Sequence, residues 1–373
     1  MTTNKKKIML IFGTRPEAIK MCPLILECQK RSGQFDVVVC VSGQHAHMLM
    51  PVLDYFGVKA DYDLAVMKEE QTLTDITTAV LNKLGPILDQ EKPDVLLVHG
   101  DTTTTFTGAL AAFYRQIPVG HVEAGLRTYD MSSPYPEEFN RQGTGILASY
   151  HFAPTQWAAQ NLINEKKPAD QVFVTGNTVL DAIKTTIRQE YSHPELDWAA
   201  DSSLLLITAH RRENIGQPMT QMFSAIRRIV DDYPETKAIY PVHKNPKVRR
   251  IAEEYLRDHD RIHLIEPLDV FDFHNFMSRC HMILTDSGGL QEEAFAVKKP
   301  VLLMRNTTER PEGIEAGIVE MTGTEEEAVY QAASRLLKDN ELYKRMISGA
   351  NPFGDGFASR HIADILEKVL PAT

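Results

Sequence analysis

Residues 282–297 read MILTDSGGLQEEAFAV, which is a short apolar run, a Ser-Gly-Gly turn and the start of a helix. The apolar run predicts a buried strand, and the residues after the turn predict a helix packed on it. Glycine has no Cβ, so an oxyanion can closely approach the backbone N–H groups of Ser287, Gly288 and Gly289. Glu292 and Glu293, in the first turns of the helix, can accept hydrogen bonds from hydroxyls. A plain glycine-rich turn that begins a helix is the alternative interpretation.

Alternation of strand and helix extends over the whole chain. Short runs of Val, Ile and Leu predict parallel strands buried on both faces, and amphipathic segments such as 72–88 and 219–232 predict the intervening helices. The first set of strands is predicted at 8–12, 37–41, 95–98, 118–122 and 172–175. The second set is predicted at 204–208, 238–242, 262–265, 282–285 and 301–304. The pattern is typical of two doubly wound, Rossmann-like α/β domains.

A polar stretch at about residues 190–203 separates the two sets of strands. We expect a first domain over 1–175, a second over 176–355, and a closing helix over 356–373 that crosses back to the first domain. Each domain opens with an apolar strand and a basic turn, GTRPE at 13–17 and TAHRREN at 208–214. Ligands of such sheets bind at the carboxyl ends of the strands. Two domains that face each other would therefore bring both turns to one central cleft.

The composition is that of a soluble globular protein, with 43% hydrophobic and 24% charged residues. A formal net charge of −10 argues against a nucleic-acid partner, because phosphate backbones are held by basic surfaces. No segment approaches the roughly 20 apolar residues of a membrane span. The four cysteines lack C-x-x-C spacing, which predicts buried thiols in a reducing cytoplasm.

Neither domain opens with a G-x-G-x-x-G fingerprint or a Walker A loop, so an anion must be held in another way. Arginine suits bidentate phosphate contact, and several cations follow predicted strands. Each of them alone is more often a surface charge than a ligand. These candidate cations are Arg15, Lys20, Arg211, Arg212, His243, Lys244 and Arg310.

Three carboxylates form a further group of candidates. Asp101 and Glu123 end two consecutive predicted strands, and Glu137 follows in a proline-rich loop. If the strands are neighbours, these acids lie at one edge of the sheet, where they suit proton transfer. Asp101 can instead cap the helix that follows it. No H-E-x-x-H or comparable spacing supports a metal site, and we expect neither a metal nor an organic cofactor.

These motifs together resemble the bacterial non-hydrolysing UDP-N-acetylglucosamine 2-epimerases. The agreement covers nearly the whole chain and lies in FGTRPEAIK at 12–20, HGDT at 99–102, HVEAGLR at 121–127, PEE at 136–138, TGN at 175–177, HRREN at 210–214, DSGG at 286–289 and ERPEG at 309–313. The resemblance implies a two-domain GT-B-like fold, a homodimer and the interconversion of UDP-N-acetylglucosamine (UDP-GlcNAc) and UDP-N-acetylmannosamine (UDP-ManNAc). It also implies that UDP is eliminated to give 2-acetamidoglucal and is then added back, in a pathway to cell-surface polysaccharide.

The resemblance assigns roles residue by residue. Residues that match the acid/base set are Asp101, Glu123 and Glu137, with His210 close to the diphosphate. Residues that match the contacts of UDP are Arg15, Phe273, Ser287, Gly288, Gly289, Glu293 and Arg310, with Lys20 as a further contact. Phe273 would meet the uracil and Glu293 the ribose hydroxyls, although Phe273 also fits a core position of its helix.

Many bacterial members of that family need UDP-GlcNAc as an activator, and the present sequence departs from the activator contacts. His47 replaces a glutamine and Glu70 replaces an arginine, so that a negative charge stands where an anionic activator would bind. The remaining contacts are matched by Gln44, Glu137, Arg211 and His243. We therefore expect activation by UDP-GlcNAc to be weak or absent.

Three other functions fit parts of the pattern. A UDP-sugar glycosyltransferase shares the two-domain fold but needs an acceptor site. A hydrolysing epimerase would release free N-acetylmannosamine and UDP. A non-catalytic sugar-nucleotide sensor would keep the cationic residues but has no use for Asp101, Glu123 and Glu137 together.

Overall fold

The computed structural model of the protein describes residues 5–43, 46–68, 71–308 and 310–370, with only the backbone for residues 46–48. The chain divides into two compact units. Unit 1 comprises Met1–Ala182 and Phe353–Thr373, and unit 2 comprises Ile183–Pro352. The division thus falls a few residues from the predicted boundaries at 175 and 355.

Within its described residues, unit 1 forms one parallel sheet of seven strands. The strands are β1 (Lys6–Phe12), β2 (Phe35–Val41), β3 (Tyr62–Asp63), β4 (Val95–His99), β5 (Val119–Val122), β6 (Tyr150–Ala153) and β7 (Val172–Val174). Their order in the sheet is β3-β2-β1-β4-β5-β6-β7. The chain therefore builds outward from β1 in one direction and from β4 in the other, which places the topological switch point between these two strands.

Unit 2 forms a parallel sheet of six strands in the part of the chain that the structure describes. The strands are β8 (Ser203–Thr208), β9 (Thr236–Pro241), β10 (Ile262–Ile265), β11 (Met282–Thr285), β12 (Val301–Leu303) and β13 (Val319–Met321). Their order is β10-β9-β8-β11-β12-β13, so that the switch point lies between β8 and β11. The predicted fold class, two doubly wound α/β units, is confirmed.

Helices connect successive strands in both units. They are α1 (Arg15–Lys30), α2 (Ala46–Phe56), α3 (Leu73–Glu91), α4 (Thr103–Phe113), α5 (Glu137–Leu147), α6 (Gln156–Asn164), α7 (Thr178–Thr186), α8 (Pro194–Ala199), α9 (Gln217–Asp232), α10 (Pro246–Leu256), α11 (Val270–Arg279), α12 (Leu290–Val297), α13 (Pro311–Glu315), α14 (Glu326–Lys338), α15 (Asn340–Ile347) and α16 (Ala358–Val369). The boundary between the units, after Ala182, lies inside α7.

Helices on both faces bury the central strands. In β1, every residue from Ile8 to Phe12 has no exposed surface, which explains why this strand is an unbroken apolar run rather than an alternating one. The core of unit 1 continues from Met9 and Ile11 to Leu84 and Leu88 of α3. A corresponding core in unit 2 joins its sheet to α9 and α14.

The last helix packs on unit 1, as predicted. The Arg31 guanidinium, just after α1, lies 2.6 Å from a carboxylate oxygen of Asp364 and 3.1 Å from one of Glu367, both in α16. At the start of the helix, Asp181 of α7 accepts hydrogen bonds from the backbone N–H groups of Ala358 and Ser359. These contacts fix α16 at both ends.

Strand prediction failed where polar residues shorten the apolar run. The sequence analysis missed β3, β6 and β13, which have only two to four residues each. His151 interrupts β6, and Glu320 interrupts β13 at the edge of its sheet. The ten strands that were predicted are all present, with ends that differ by at most two residues.

The cysteines are buried, as the sequence predicts. All four cysteines are buried free thiols, and burial raises the pKa of each to about 12. Within the described residues, no helix combines the length and the apolar character that crossing a bilayer requires.

Candidate active site

A buried carboxylate, that of Glu17, binds both the turn after β1 and the turn after β4, at the switch point of unit 1. Glu17 of α1 accepts the backbone N–H groups of Gly13 (3.1 Å) and Thr14 (2.8 Å) through Oε2. Its Oε1 accepts the hydroxyls of Thr102 (2.9 Å) and Thr105 (3.2 Å) at the start of α4. Burial raises the pKa of Glu17 against the opposing effect of these hydrogen bonds. The turns after β1 and β4 are thereby held together.

Asp101 follows β4 and is not the cap of the next helix. The hydroxyl of Thr102 caps α4 by accepting the N–H of Thr105. Oδ2 of Asp101 instead lies 2.7 Å from the Arg141 guanidinium of α5, and Asn140 donates to its backbone carbonyl at 2.9 Å. The first turn of α5 is therefore attached directly to Asp101.

The two glutamates that begin α5 have different environments. Glu138 has no exposed surface and accepts the N–H groups of Thr128 and Tyr129 and a hydrogen bond from Arg141. Burial acts to raise the pKa of Glu138, but hydrogen bonds from Gln142 and from these donors outweigh it, and the pKa is lowered. In Glu137, the buried Oε2 has no hydrogen-bond partner among the described residues. Glu138 is thus committed to the loop before α5, and Glu137 is the one suited to meet a ligand.

Glu123 follows β5, directly beside β4 in the sheet. Its backbone is in the left-handed region, with φ of 62°. Oε2 of Glu123 accepts a hydrogen bond from Nδ2 of Asn177 at 2.7 Å and contacts the ammonium of Lys20. Lys20, predicted as a contact of UDP, is therefore paired with a candidate catalytic acid. The prediction that Asp101 and Glu123 end neighbouring strands is confirmed.

Gly125 allows the backbone to take its course after Glu123. Its φ is +91°, and a Cβ at this position would lie 2.2 Å from the carbonyl oxygen of Ala158. Asn161 of α6 donates to the carbonyl of Gly125 at 3.0 Å. Further along, the fully buried side chain of Arg127 makes a bidentate ion pair with Glu165. The loop after Glu123 is thus anchored to α6.

Three buried histidines, His99, His121 and His151, lie in the adjacent strands β4, β5 and β6. Burial lowers the pKa of His99 to about 4 and those of His121 and His151 to about 3, so all three are neutral at pH 7. Nε2 of His121 donates to the carbonyl of Gly100 at 2.7 Å, which supports the turn that carries Asp101. Neither ring nitrogen of His151 has a hydrogen-bond partner among the described residues.

In unit 2, Asp286 fastens the turns at the other switch point. This fully buried carboxylate follows β11 and accepts the backbone N–H groups of His210 (3.0 Å) and Arg211 (2.9 Å), which follow β8. Nδ2 of Asn214 donates to it at 3.1 Å. The basic turn after β8 therefore lies beside the Ser-Gly-Gly turn.

The predicted anion cradle is smaller than the sequence indicated. The N–H of Ser287 donates to the Thr285 hydroxyl at 2.9 Å and so is already used. The N–H groups of Gly288 and Gly289, just before α12, have no acceptor among the described residues. A Cβ on Gly289 would meet nothing within 4 Å, so the space beside this turn is open. Two backbone N–H groups at a helix N-terminus form an anion site.

The two acidic residues at the start of α12 differ in burial, as do the two at the start of α5. Glu292 has no exposed surface and lies 2.6 Å from Nε of Arg310, which excludes it as a ligand for hydroxyls. Glu293 is half-buried, and its Oε2 lies 3.5 Å from Nε2 of His274. Phe273, the neighbour of His274 on α11, is also half-buried rather than part of the core.

Of the remaining predicted site residues, those in the described part of the chain follow strands. Arg15 is half-buried at the first position of α1. The rings of His210 and His243 stack with centroids 5.4 Å apart, and Nδ1 of His210 lies 3.8 Å from Asp286. Burial and the neighbouring His243 lower the pKa of His210, against the effect of Asp286. Gln44 and Glu70 lie outside the described residues, as does the side chain of His47.

Comparison with known proteins decides the family. A family model described as UDP-N-acetylglucosamine 2-epimerase matches residues 27–367. The UDP-N-acetylglucosamine 2-epimerase of Bacillus subtilis is 57% identical over 363 residues, which are 97% of this chain and 95% of that protein. The chain belongs to the UDP-N-acetylglucosamine 2-epimerase family.

Solved structures of similar proteins share the fold along their whole length. The co-structure of S. aureus MnaA with UDP has a TM-score of 0.91 at 53% identity and covers 98% of this chain and 97% of that one. The UDP-GlcNAc 2-epimerase of Neisseria meningitidis, solved with UDP-GlcNAc bound, has a TM-score of 0.91 at 45% identity, with 97% and 100% covered. The family resemblance predicted from the motifs is confirmed.

The sequence analysis of this epimerase missed the residues that hold the candidate acids in place. Arg141 binds Asp101, Asn177 binds Glu123, and Glu17 and Asp286 join the turns. All four lie in or beside the motifs that carried the resemblance. The sequence did contain a signal for these residues, namely a charged or amide residue next to a motif with a candidate acid. Spacing alone does not show which residues contact each other.

The buried histidines predict a pH dependence of stability. Because the folded pKa of His151 lies below that of an unfolded histidine, only the unfolded chain binds a proton as the pH falls below about 6.5. His151 therefore contributes its full stability above pH 6.5 and loses it as the pH falls toward 3. From pH 7.5 to 5.5, we expect the wild type to lose about 1.4 kcal/mol more unfolding free energy than His151→Leu.

The measurement is urea unfolding in a Trp198→Phe background, so that the fluorescence reports only Trp157 of α6, in the same unit as His151. Parallel pH curves for the wild type and His151→Leu would contradict the burial of a neutral His151.

Proposed function

We propose that the protein interconverts UDP-GlcNAc and UDP-ManNAc by eliminating UDP and adding it back. The proton on C2 of the sugar is not acidic, because C1 is an acetal carbon. A base therefore removes the C2 proton while its electron pair forms the C1–C2 double bond and UDP leaves C1. Protonation of C2 from the opposite face, with return of UDP to C1, gives the epimer. No oxidant or reductant is needed.

Three carboxylates at one edge of a sheet carry this proposal. Asp101 and Glu123 follow adjacent strands, and Glu137 begins the helix whose Asn140 and Arg141 bind Asp101. Acid and base groups on two faces of a sugar ring are what the two proton transfers require. A sugar-nucleotide sensor needs none of them.

The residues of unit 2 suit the leaving group. The N–H groups of Gly288 and Gly289 at the start of α12, with the Ser287 hydroxyl, would stabilise the departing diphosphate. Glu293, exposed enough to meet a hydroxyl, would bind the ribose, and Phe273 would stack on the uracil. His210 and Arg310 would add positive charge or hydrogen bonds near the phosphates. The UDP-bound structure of S. aureus MnaA supports nucleotide binding by this fold.

The proposed division of roles follows the units. The N-terminal domain carries the acids, and the C-terminal domain carries the UDP contacts. The enzyme would act in the cytoplasm without a cofactor, and its product would supply N-acetylmannosamine to cell-surface polysaccharide. Among the described residues, no cluster of three or more His, Cys, Asp or Glu can hold a metal ion.

Heavy water tests the reaction. Proton NMR of UDP-GlcNAc incubated with the protein in D₂O should show UDP-ManNAc with deuterium at C2. Retention of the original C2 hydrogen in the product would rule out elimination. Free N-acetylmannosamine and UDP as main products would instead indicate the hydrolysing reaction.

The acids can be tested separately. Asp101→Asn, Glu123→Gln and Glu137→Gln should each lower kcat by about 10²- to 10⁴-fold, because an amide cannot accept or deliver the proton. UDP affinity, measured by calorimetry, should stay within about threefold. Asp170→Asn changes an exposed acid of the same unit and serves as the control. Wild-type rates in all three variants would refute the acid/base assignment.

Activation by substrate gives a second prediction, which rests on Glu70 and His47. Pure UDP-ManNAc should be turned over without added UDP-GlcNAc. The double variant His47→Gln with Glu70→Arg should make turnover depend on added UDP-GlcNAc, because the arginine restores a positive charge for an anionic activator. A strict requirement for UDP-GlcNAc in the wild type would contradict the prediction.

Exposed apolar side chains on α4 and α5 support the proposed homodimer. Phe113, Phe139 and Ile146 keep 54%, 51% and 73% of their surface exposed, and the two helices pack beside each other. Such a patch is costly in a monomer. Light scattering should therefore give twice the chain mass for the wild type and a single chain mass for Phe139→Glu with Ile146→Glu. A monomeric wild type at micromolar concentration would contradict dimerisation.

A further inference from the structure

Asn177 makes two different contacts through the two ends of its side-chain amide. Nδ2 donates to Oε2 of Glu123 at 2.7 Å, and Oδ1 accepts the N–H of Val179 at 2.9 Å. The backbone N–H of Asn177 donates to the carbonyl of Phe353 at 2.8 Å. The residue is 2% exposed, so that its amide orientation is fixed on both sides.

The contact with Val179 also settles which end of the amide faces Glu123. The Val179 N–H is a donor and requires the amide oxygen. The nitrogen must then point to Glu123, where it requires an acceptor. A carboxylate oxygen that also contacts the Lys20 ammonium satisfies this requirement. The two donors come from α1 and from the start of α7, which are far apart in the chain.

The backbone of Glu123 has an uncommon conformation. A non-glycine residue with φ of 62° is unusual. Because Asn177 and Lys20 both contact Oε2, they fix the plane of the carboxylate and thus the direction of Oε1. Both contacts favour the ionised form.

On these contacts, and resting on the proposed epimerase function, we propose that Asn177 is a positioning residue that orients Glu123 as a carboxylate ready to accept the C2 proton. Asn177 itself does not meet the sugar. Its effect reaches the reaction through the geometry and charge of Glu123.

Other charged or titratable groups also lie around Glu123. The ammonium of Lys20 on α1 contacts the same carboxylate oxygen. His99 on β4 lies with Nε2 3.8 Å from Oε2 and is neutral at pH 7, because burial lowers its pKa to about 4. His121 on β5 is also neutral and donates to Gly100. Asn177 is a neutral donor with a fixed amide orientation, and it helps to orient Glu123.

The substitution Asn177→Asp separates positioning from structure. It keeps an oxygen for the Val179 N–H and the same shape, but it turns the donor that faces Glu123 into an acceptor with negative charge. We expect kcat for UDP-GlcNAc to fall by about 10- to 100-fold, because a misplaced catalytic group costs this much. A second carboxylate disfavours ionisation of Glu123, so the acid limb of the pH–rate profile should move up by about one pH unit.

The matched control is Asp181→Asn, on the helix that begins directly after Asn177. It weakens hydrogen bonds to the N–H groups of Ala358 and Ser359. It should lower Tm without moving the acid limb. UDP affinity of both variants should stay within about threefold of the wild type.

A double-mutant cycle completes the test. In a Glu123→Gln background, adding Asn177→Asp should lower the residual rate by less than threefold, because the group being oriented has already lost its function. An unshifted acid limb in Asn177→Asp, wild-type kcat, or a full additional loss in the double variant would each overturn the proposal. A wild type that does not exchange deuterium at C2 would refute the epimerase function instead, so the two failures are distinguishable.

Discussion

Each unit depends on one buried carboxylate that joins the two turns at its switch point. Glu17 binds N–H groups after β1 and hydroxyls after β4, and Asp286 binds N–H groups after β8 from its place after β11. At a switch point the adjacent chain segments run to opposite sides of the sheet, so nothing in the strand ladder itself holds the turns together. A buried carboxylate whose donors are removed costs about 1–3 kcal/mol for each unmet group. The two functional loops of each unit are therefore fixed as a pair.

The same principle explains which acids are available for chemistry. Glu138 and Glu292 have no exposed surface and hold loops or pair with arginine, whereas their neighbours Glu137 and Glu293 are half-buried. In each pair, the structural acid follows or precedes the candidate functional one by a single residue on a helix. A rotation of 100° per residue separates their directions, so one side chain enters the protein and the next points to the ligand side.

Sequence reasoning succeeded for apolar strands and for motifs, and it failed for partners. Unbroken runs such as that of β1 are explained by burial on both faces, which the composition of a strand reveals directly. Asp101 and Arg141, in contrast, meet only because α5 folds back over the end of β4, and Glu123 meets Asn177 across 54 positions. Side-chain orientation at such distances depends on the packed structure, and no local spacing encodes it. The Ser287 N–H was also counted as available, although the hydroxyl of Thr285, only two residues earlier, accepts it.

Ion pairs within the chain occupy some of the candidate cations. Two cations that the sequence offered for an anion are bound to carboxylates of the same chain, namely Lys20 to Glu123 and Arg310 to Glu292. Pairing lowers their net attraction for phosphate. In the proposed reaction, backbone N–H groups such as those of Gly288 and Gly289 would hold the diphosphate together with the remaining cations. Such N–H groups would suit a leaving group that has to be held while it is detached and still be able to return to C1.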